Sequence, residues 1–180
     1  VKRNFNADHP DQLWVADFTY IQTHSGWVYT AFIIDVFSRA IVGWKVSTRM
    51  NTDMVLDALE QALHDRGMPK NVIHHSDRGV QYLSIRYTNR LEAANLRASV
   101  GTTGDSYDNA LAETVNGLYK TEVIEYLKAD WQGLADVQLA TLNWVDWFNK
   151  ERVHSALGYV SPFEFEAMYY DKINPLGQVA

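Results

Sequence analysis

Runs of β-branched and aromatic residues near the amino terminus alternate with short polar segments. Three such runs cover residues 13–22, 27–37 and 40–48, and the segments THSG and SR separate them. These residue types favour strands, and the short separations favour tight connections between neighbouring strands. The pattern therefore predicts a three-stranded antiparallel meander.

Helical periodicity begins after the third run. Apolar residues recur at helical spacing over 51–67, where Asn51 or Thr52 suits the N-cap and Gly67 suits the end. The later pattern predicts strands in KNVIHHSD and RASVG, and helices over 84–96, from Asp108 onward, over about 132–149 and from Ser161 onward.

This order of elements indicates the fold class. Strands followed by alternating strands and helices predict an α/β fold, in which helices flank a mixed five-stranded sheet. We expect one domain, because about 180 residues suffice for a single core. Its parts are predicted to be a linker over 1–10, a core over 11–150, and a tail over 151–180 that carries a short helix.

The helix that begins near Asp108 carries separate apolar and polar faces. Asp108 has the short acceptor side chain that is typical of an N-cap. The predicted apolar stripe consists of Leu111, Val115 and Leu118. The polar face holds Glu113, Asn116 and Lys120. A solvated surface helix would show the same pattern, so this helix alone leaves the role of Glu113 open.

Composition excludes several classes of chemistry. The chain contains no cysteine, which rules out disulfides, thiolate zinc sites and cysteine nucleophiles. It has no apolar run near the roughly 20 residues that cross a bilayer, so we expect no membrane association and a cytoplasmic location. Because the chain starts at Val1 and soon enters a strand-like pattern, we also expect a piece of a longer protein.

The net charge of −6 has the wrong sign for a simple nucleic-acid binder. Lysine and arginine supply most of the affinity for phosphates, so the net charge by itself disfavours DNA as a partner. An acidic site that recruits divalent cations escapes this objection, because the bound cations reverse the local charge.

Three acids occupy positions where such a site could form. Asp17 interrupts an apolar strand, Asp77 follows the apolar part of a second strand, and Glu113 lies on the polar helix face. An aspartate inside a strand requires a partner or a metal ion, because burying an unpaired carboxylate is unfavourable. Carboxylates from distant segments that converge favour Mg²⁺ or Mn²⁺, which prefer oxygen ligands.

Four motifs connect these acids to a known family. LWVADFTYI, HSDRGVQY, GDSYDNALAETVNGLYKTE and NKERVHSALGYVSP occur in this order. Together they resemble the catalytic core of DDE transposases, in the insertion-sequence group most similar to retroviral integrases, over about residues 10–165. The resemblance implies a ribonuclease-H-like fold and a metal-binding catalytic triad of Asp17, Asp77 and Glu113. It also implies that Lys120 contacts DNA near the reacting end.

The resemblance further implies a reaction and its partners. The expected activity is two-metal DNA strand cleavage by water, followed by attack of a 3′-hydroxyl on target DNA, with two Mg²⁺ or Mn²⁺ ions as cofactors. The expected partners are element ends and target DNA, bound by a homo-oligomer that is associated with the nucleoid. A helix-turn-helix region is expected upstream of Val1. The alternatives are a structure-selective nuclease on the same fold and an inactive DNA-binding or assembly module.

Other polar residues are weaker candidates for DNA contacts. Asn116 shares the polar helix face with Lys120, and Arg78 follows Asp77 directly. Arg78 suits a phosphate contact or a surface ion pair equally well. Arg152 and His154 match the last motif, and they either order the C-terminal segment or contact DNA.

Several conspicuous side chains have a structural explanation instead. His74 and His75 are adjacent on a strand and should point to opposite faces, so they are predicted to make hydrogen bonds and not to chelate one ion. Asp35 precedes the FSR turn and is predicted to cap it. The six tryptophans, Trp27 among them, are predicted to be core residues more often than base-stacking platforms, whereas Trp144 and Trp147 could serve an interface.

Overall fold

A five-stranded mixed sheet forms the centre of the molecule. A computed structural model describes residues 7–76, 84–100, 110–127 and 130–174. The strands are β1 (Leu13–Thr23), β2 (Gly26–Asp35), β3 (Ile41–Ser47), β4 (Ile73–Ser76) and β5 (Arg97–Val100). Their order across the sheet is β3-β2-β1-β4-β5. The first three strands are antiparallel and the last two are parallel to β1, which confirms the predicted meander and the mixed sheet.

Five α-helices accompany the sheet within the described residues. They are α1 (Thr52–Asp65), α2 (Ile85–Ala93), α3 (Ala110–Tyr119), α4 (Leu134–Lys150) and α5 (Pro162–Ile173). A π-helical turn continues α3 over Lys120–Glu125, and a 3₁₀ turn covers Ser155–Leu157. The predicted caps are confirmed for Asn51 and Ser161, whose side chains accept from the amides of Met54 and Glu164. None of the described helices is both long and apolar enough to span a membrane.

Two hydrophobic cores lie on opposite faces of the sheet. Alternation along β1 sends Trp14 towards α1 and α2, and sends Val15 towards α3 and α4. Both side chains are buried. The sheet is therefore the middle layer of three, and any site on β1 is bounded by helices.

The apolar stripe of α3 differs from the predicted one. The buried residues are Ala112, Val115 and Tyr119, whereas Leu111 and Leu118 are only partly buried. The Tyr119 hydroxyl bonds the side chains of Thr30 on β2, at 3.2 Å, and Thr141 on α4, at 2.6 Å. These contacts set the rotation of α3, because a buried hydroxyl requires partners. The predicted cap, Asp108, lies outside the described residues.

A buried polar network holds α5 against the core. Arg66 at the end of α1 donates to Glu166 of α5, with nitrogen–oxygen distances of 2.7 and 2.5 Å. Asp35 accepts from the amide and hydroxyl of Ser38, at 2.9 and 3.0 Å, which confirms its predicted capping role. Ser38 also contacts Glu166, at 2.9 Å. The C-terminal helix is thus connected to the ends of α1 and β2.

Candidate active site

Asp17 directly follows the stretch of β1 that pairs with β4. Among the described residues, the last pair of this parallel ladder is Ala16 and Ser76. On its other side Asp17 remains paired with Phe32 of β2. Its carboxylate is half-buried, and Oδ1 accepts from the Phe18 amide at 2.8 Å.

Asn116 connects α3 to this carboxylate. Its Nδ2 donates to Asp17 Oδ2 at 3.2 Å. The Asn116 Oδ1 atom is buried and has no hydrogen-bond partner among the described residues. Sequence reasoning predicted a DNA contact for Asn116 and missed this bond, because pairing between residues 99 positions apart leaves no local signal. A free acceptor next to the carboxylate marks a polar site.

Glu113 is exposed on the first turn of α3, three residues before Asn116. Residues at this spacing are neighbours on a helix surface, with Cβ atoms about 5–6 Å apart. The bond from Asn116 to Asp17 therefore brings the turn that carries Glu113 close to β1. Two carboxylate-bearing segments thus lie close to each other here.

The donor chemistry of this site fits a hard divalent cation. Asp17 and Glu113 supply carboxylate oxygens, which Mg²⁺ and Mn²⁺ prefer. Within the part of the chain that the structure describes, no three His, Cys, Asp or Glu side chains are grouped closely enough to hold a metal ion. The predicted third ligand, Asp77, and its neighbour Arg78 lie outside the described residues.

Lys120 contacts an exposed aromatic residue at the edge of this site. Its Nζ lies 4.9 Å from the centroid of the Tyr20 ring. Tyr20 in turn packs edge-to-face against Trp27. Trp27 is half exposed, so the expectation of a core role for the tryptophans is wrong at this position. Alternation along β1 could have predicted the exposure of Tyr20, because Tyr20 lies on the opposite face of the strand from the buried Thr19 and Ile21.

Arg152 makes contacts within the chain. Its Nε donates to Glu122 Oε1 at 2.6 Å, and its guanidinium lies 5.8 Å from the centroid of the Phe148 ring. Both partners of the ion pair are mostly buried. This geometry favours the role of ordering the C-terminal segment. The neighbouring His154 is buried, and burial is the main cause that lowers its pKa to about 4.

The paired histidines of β4 make separate hydrogen bonds, as predicted. His74 Nε2 lies 2.6 Å from the Tyr87 hydroxyl, and His75 Nδ1 lies 3.0 Å from Ser99 Oγ. Burial lowers the pKa of His74 to about 4, which keeps its imidazole neutral at physiological pH.

Family models match most of the chain. Two models described as "Integrase core domain" cover residues 7–106 and 94–162. The first of them alone spans more than half of the sequence. The chain belongs to the integrase core domain family. The family resemblance found in the sequence motifs is thereby confirmed.

Curated relatives of this integrase core are transposases. The chain is 58% identical over 173 residues to the transposase for insertion sequence element IS629 of Shigella sonnei. It is 53% identical over 175 residues to the putative transposase for IS986/IS6110 of Mycobacterium tuberculosis. These matches cover 96% and 94% of this chain but only 57% and 63% of the relatives. The chain thus spans about three fifths of their length.

Solved structures of retroviral integrases share the fold. The HTLV-2 integrase catalytic core domain in complex with magnesium superposes with a TM-score of 0.70 at 18% identity, covering 89% of this chain and 99% of that chain. A chain of the simian T-cell lymphotropic virus intasome in complex with PP2A regulatory subunit B56 gamma gives a TM-score of 0.76 at 16% identity, covering 89% of this chain and 56% of that chain. The predicted ribonuclease-H-like fold is confirmed.

Proposed function

We propose that this integrase core catalyses DNA strand cleavage and strand transfer as part of a transposase. The observation that carries the proposal is the hydrogen bond between Asn116 and Asp17, which brings the helix of Glu113 to the strand of Asp17. The similarity to transposases over nearly the whole chain supports it.

The proposed reaction consists of two displacements at phosphorus. Water attacks a phosphodiester, one P–O bond breaks, and a 3′-hydroxyl is left on the element end. The oxygen of that hydroxyl then attacks a target phosphodiester, forming one P–O bond while the 3′ oxygen of the target strand leaves. No covalent bond to the protein is needed in either step.

Asp77 is the proposed third carboxylate. It is bonded to Ser76, the last residue of β4, and Ser76 pairs with Ala16, the residue before Asp17. The carboxyl end of β4 thus adjoins the segment of β1 that carries Asp17, which supports Asp77 as the third ligand.

The three carboxylates of Asp17, Asp77 and Glu113 would hold two divalent cations, Mg²⁺ or Mn²⁺. When bound, such cations stabilise both the attacking and the leaving oxygen of an in-line displacement. Asn116 would fix the orientation of the Asp17 carboxylate, as residues that hydrogen-bond a metal ligand generally do. Lys120 would contact a DNA phosphate, since its ammonium suits an anion.

Charge-removing substitutions test this proposal. Asp17→Asn, Asp77→Asn and Glu113→Gln should each reduce cleavage and joining by at least about a hundredfold, while the melting temperature stays the same or rises because mutual carboxylate repulsion is relieved. The substrate is branched DNA that presents a 3′-hydroxyl next to a phosphodiester, supplied with Mn²⁺. Asp146→Asn and Glu125→Gln, on the exposed surfaces of α4 and the π-helical turn, are matched controls that should retain activity.

The products distinguish the proposal from its alternatives. Joined DNA that appears when a target duplex is supplied identifies strand transfer, whereas hydrolysis alone would identify a nuclease. Near-normal turnover in Asp17→Asn would contradict the assignment. Absence of metal-dependent turnover in the full-length protein would indicate an inactive binding or assembly module.

DNA and a second copy of the chain are the proposed partners, and the nucleoid is the proposed place of action. The HTLV-2 integrase catalytic core domain has been solved in dimeric and trimeric forms, which supports self-association of this chain. With a net charge of −6, the chain by itself should bind duplex DNA weakly at physiological salt.

A further inference from the structure

Two exposed aromatic rings lie on the β1–β2 hairpin. Tyr20 and Trp27 are 55% and 50% exposed, and their rings meet edge-to-face with centroids 5.3 Å apart. An edge-to-face pair leaves both faces of the ring that contributes its edge uncovered by its partner. Together, Tyr20 and Trp27 form the hairpin pair.

The hairpin pair lies where the sheet extends past its covering helices. On the same face of β1, Trp14 and Ala16 are fully buried beneath α1 and α2, whereas Tyr20 and Gln22 are exposed. Tyr29, which is paired with Tyr20 across the hairpin, is only partly buried. The folded core therefore does not require two large aromatic side chains at the end of the hairpin.

A cation adjoins the hairpin pair. Lys120 Nζ stands 4.9 Å from the Tyr20 ring centroid. Tyr20 follows Asp17 by three residues on β1, about 10 Å along the strand, and its side chain lies on the opposite face of the sheet. Lys120, which directly follows α3, therefore connects the hairpin pair to the helix that carries Glu113. Exposed rings beside a lysine suit a ligand that combines flat apolar surfaces with negative charge. Single-stranded nucleic acid has this chemistry, because its bases stack and its phosphates are anionic.

We propose that the hairpin pair is a stacking platform for unpaired nucleobases of the DNA substrate, with Lys120 contacting the adjoining phosphate. The inference rests on the proposed function and adds to it a contact with unpaired bases. Stacking on aromatic side chains is tolerant of sequence, so the platform would hold the strand beside Lys120 without reading its sequence.

A binding measurement without metal tests the platform separately from catalysis. The probe is a DNA hairpin whose single-stranded 5′ tail carries 2-aminopurine, because stacking on an aromatic ring quenches this base. The chain should quench the probe in the absence of Mg²⁺ and Mn²⁺. Tyr20→Thr and Trp27→Thr, which keep strand-forming residues, should each weaken tail binding by roughly fivefold or more. Tyr20→Phe should retain both the affinity and the quenching.

Tyr126→Ala is the matched control, because Tyr126 directly follows the π-helical turn, is 77% exposed and lies outside the hairpin pair. It should leave tail binding unchanged. Circular dichroism and melting temperature verify that each variant is folded. A blunt hairpin that lacks the tail should bind the wild type and the Tyr20→Thr variant equally.

Equal tail affinity for the wild type and both threonine variants would overturn the platform. The platform would also be overturned if the threonine variants lost self-association in sedimentation but still quenched the probe. That result would identify the hairpin pair as a contact between copies of the chain. The catalytic proposal is judged separately, by joining of branched DNA in the presence of Mn²⁺. If the threonine variants lose quenching but still join fully paired substrates, both proposals are supported. If the wild type quenches the probe but joins no DNA, the platform stands and the catalytic role is contradicted.

Discussion

At the scale of single residues, Asn116 has two candidate roles: to orient the Asp17 carboxylate, to which it donates a hydrogen bond, or to contact DNA. If Asn116 positions the carboxylate, Asn116→Ala should lower Mn²⁺ affinity or metal-dependent activity by about 10- to 100-fold, a range typical of residues that orient a metal ligand. DNA affinity measured without metal should change little. Titration calorimetry with Mn²⁺ and a separate DNA titration give the two quantities.

A matched control is available on α4, where Asn143 carries an exposed amide. Asn143→Ala should change neither the metal affinity nor the DNA affinity. If Asn116→Ala weakens DNA binding and leaves Mn²⁺ affinity intact, the DNA contact predicted from the sequence is the better description of this residue.

At the scale of elements, the packing of α1 on β3 depends on the absence of a side chain at Gly43. A Cβ atom there would lie 2.3 Å from the backbone oxygen of Ala58 and 3.0 Å from the Ala62 Cβ. Backbone atoms cannot move away without displacing the helix. Gly43→Ala should therefore lower the free energy of unfolding by about 1–3 kcal/mol or more, as other overpacked cores show. Chemical denaturation monitored by circular dichroism measures the change.

Gly117 of α3 provides the contrasting case. A Cβ atom at this position meets nothing within 4 Å, and the residue is exposed. Gly117→Ala should raise the free energy of unfolding by up to about 1 kcal/mol, because alanine loses less conformational freedom in a helix. Destabilisation by both substitutions would show that close approach is not the reason for the effect at Gly43.

At the scale of the whole molecule, buried histidine makes stability depend on pH. Burial lowers the pKa of His74 from 6.5 to about 4, so the unfolded chain takes up a proton at a higher pH than the folded chain. This contribution to stability is complete above about pH 6.5 and is lost as pH falls towards 4. The loss corresponds to roughly 1.4 kcal/mol for each pH unit in that window.

Asp35 opposes this trend over part of the range. Burial is the main cause that raises the pKa of its carboxyl to about 6, so the folded state retains a proton that the unfolded state loses between about pH 4 and 6. Because His154 shifts in the same direction as His74, acidification from pH 7 to 5 should lower the melting temperature overall. Melting curves across this range test the sum, and His74→Gln should flatten the dependence. A melting temperature that rises steadily on acidification would contradict this account.

Local pattern alone determined most of the elements and the family. The meander and the caps at Asn51 and Ser161 follow from residue types and spacings that act within a few positions. The motifs around Asp17 and Glu113 carry the resemblance to the integrase core without any knowledge of long-range contacts. Asp77 stays a prediction of those motifs.

Only the tertiary structure decided which neighbour each face meets. The stripe of α3 centres on Ala112 and Tyr119 because the Tyr119 hydroxyl finds Thr30 and Thr141, residues far away in the sequence. Long-range packing likewise gives Asn116 a carboxylate partner and leaves Trp27 exposed at the end of the hairpin. Periodicity specifies that a face is apolar or polar, but the partner across it depends on how distant segments pack, which no local pattern encodes.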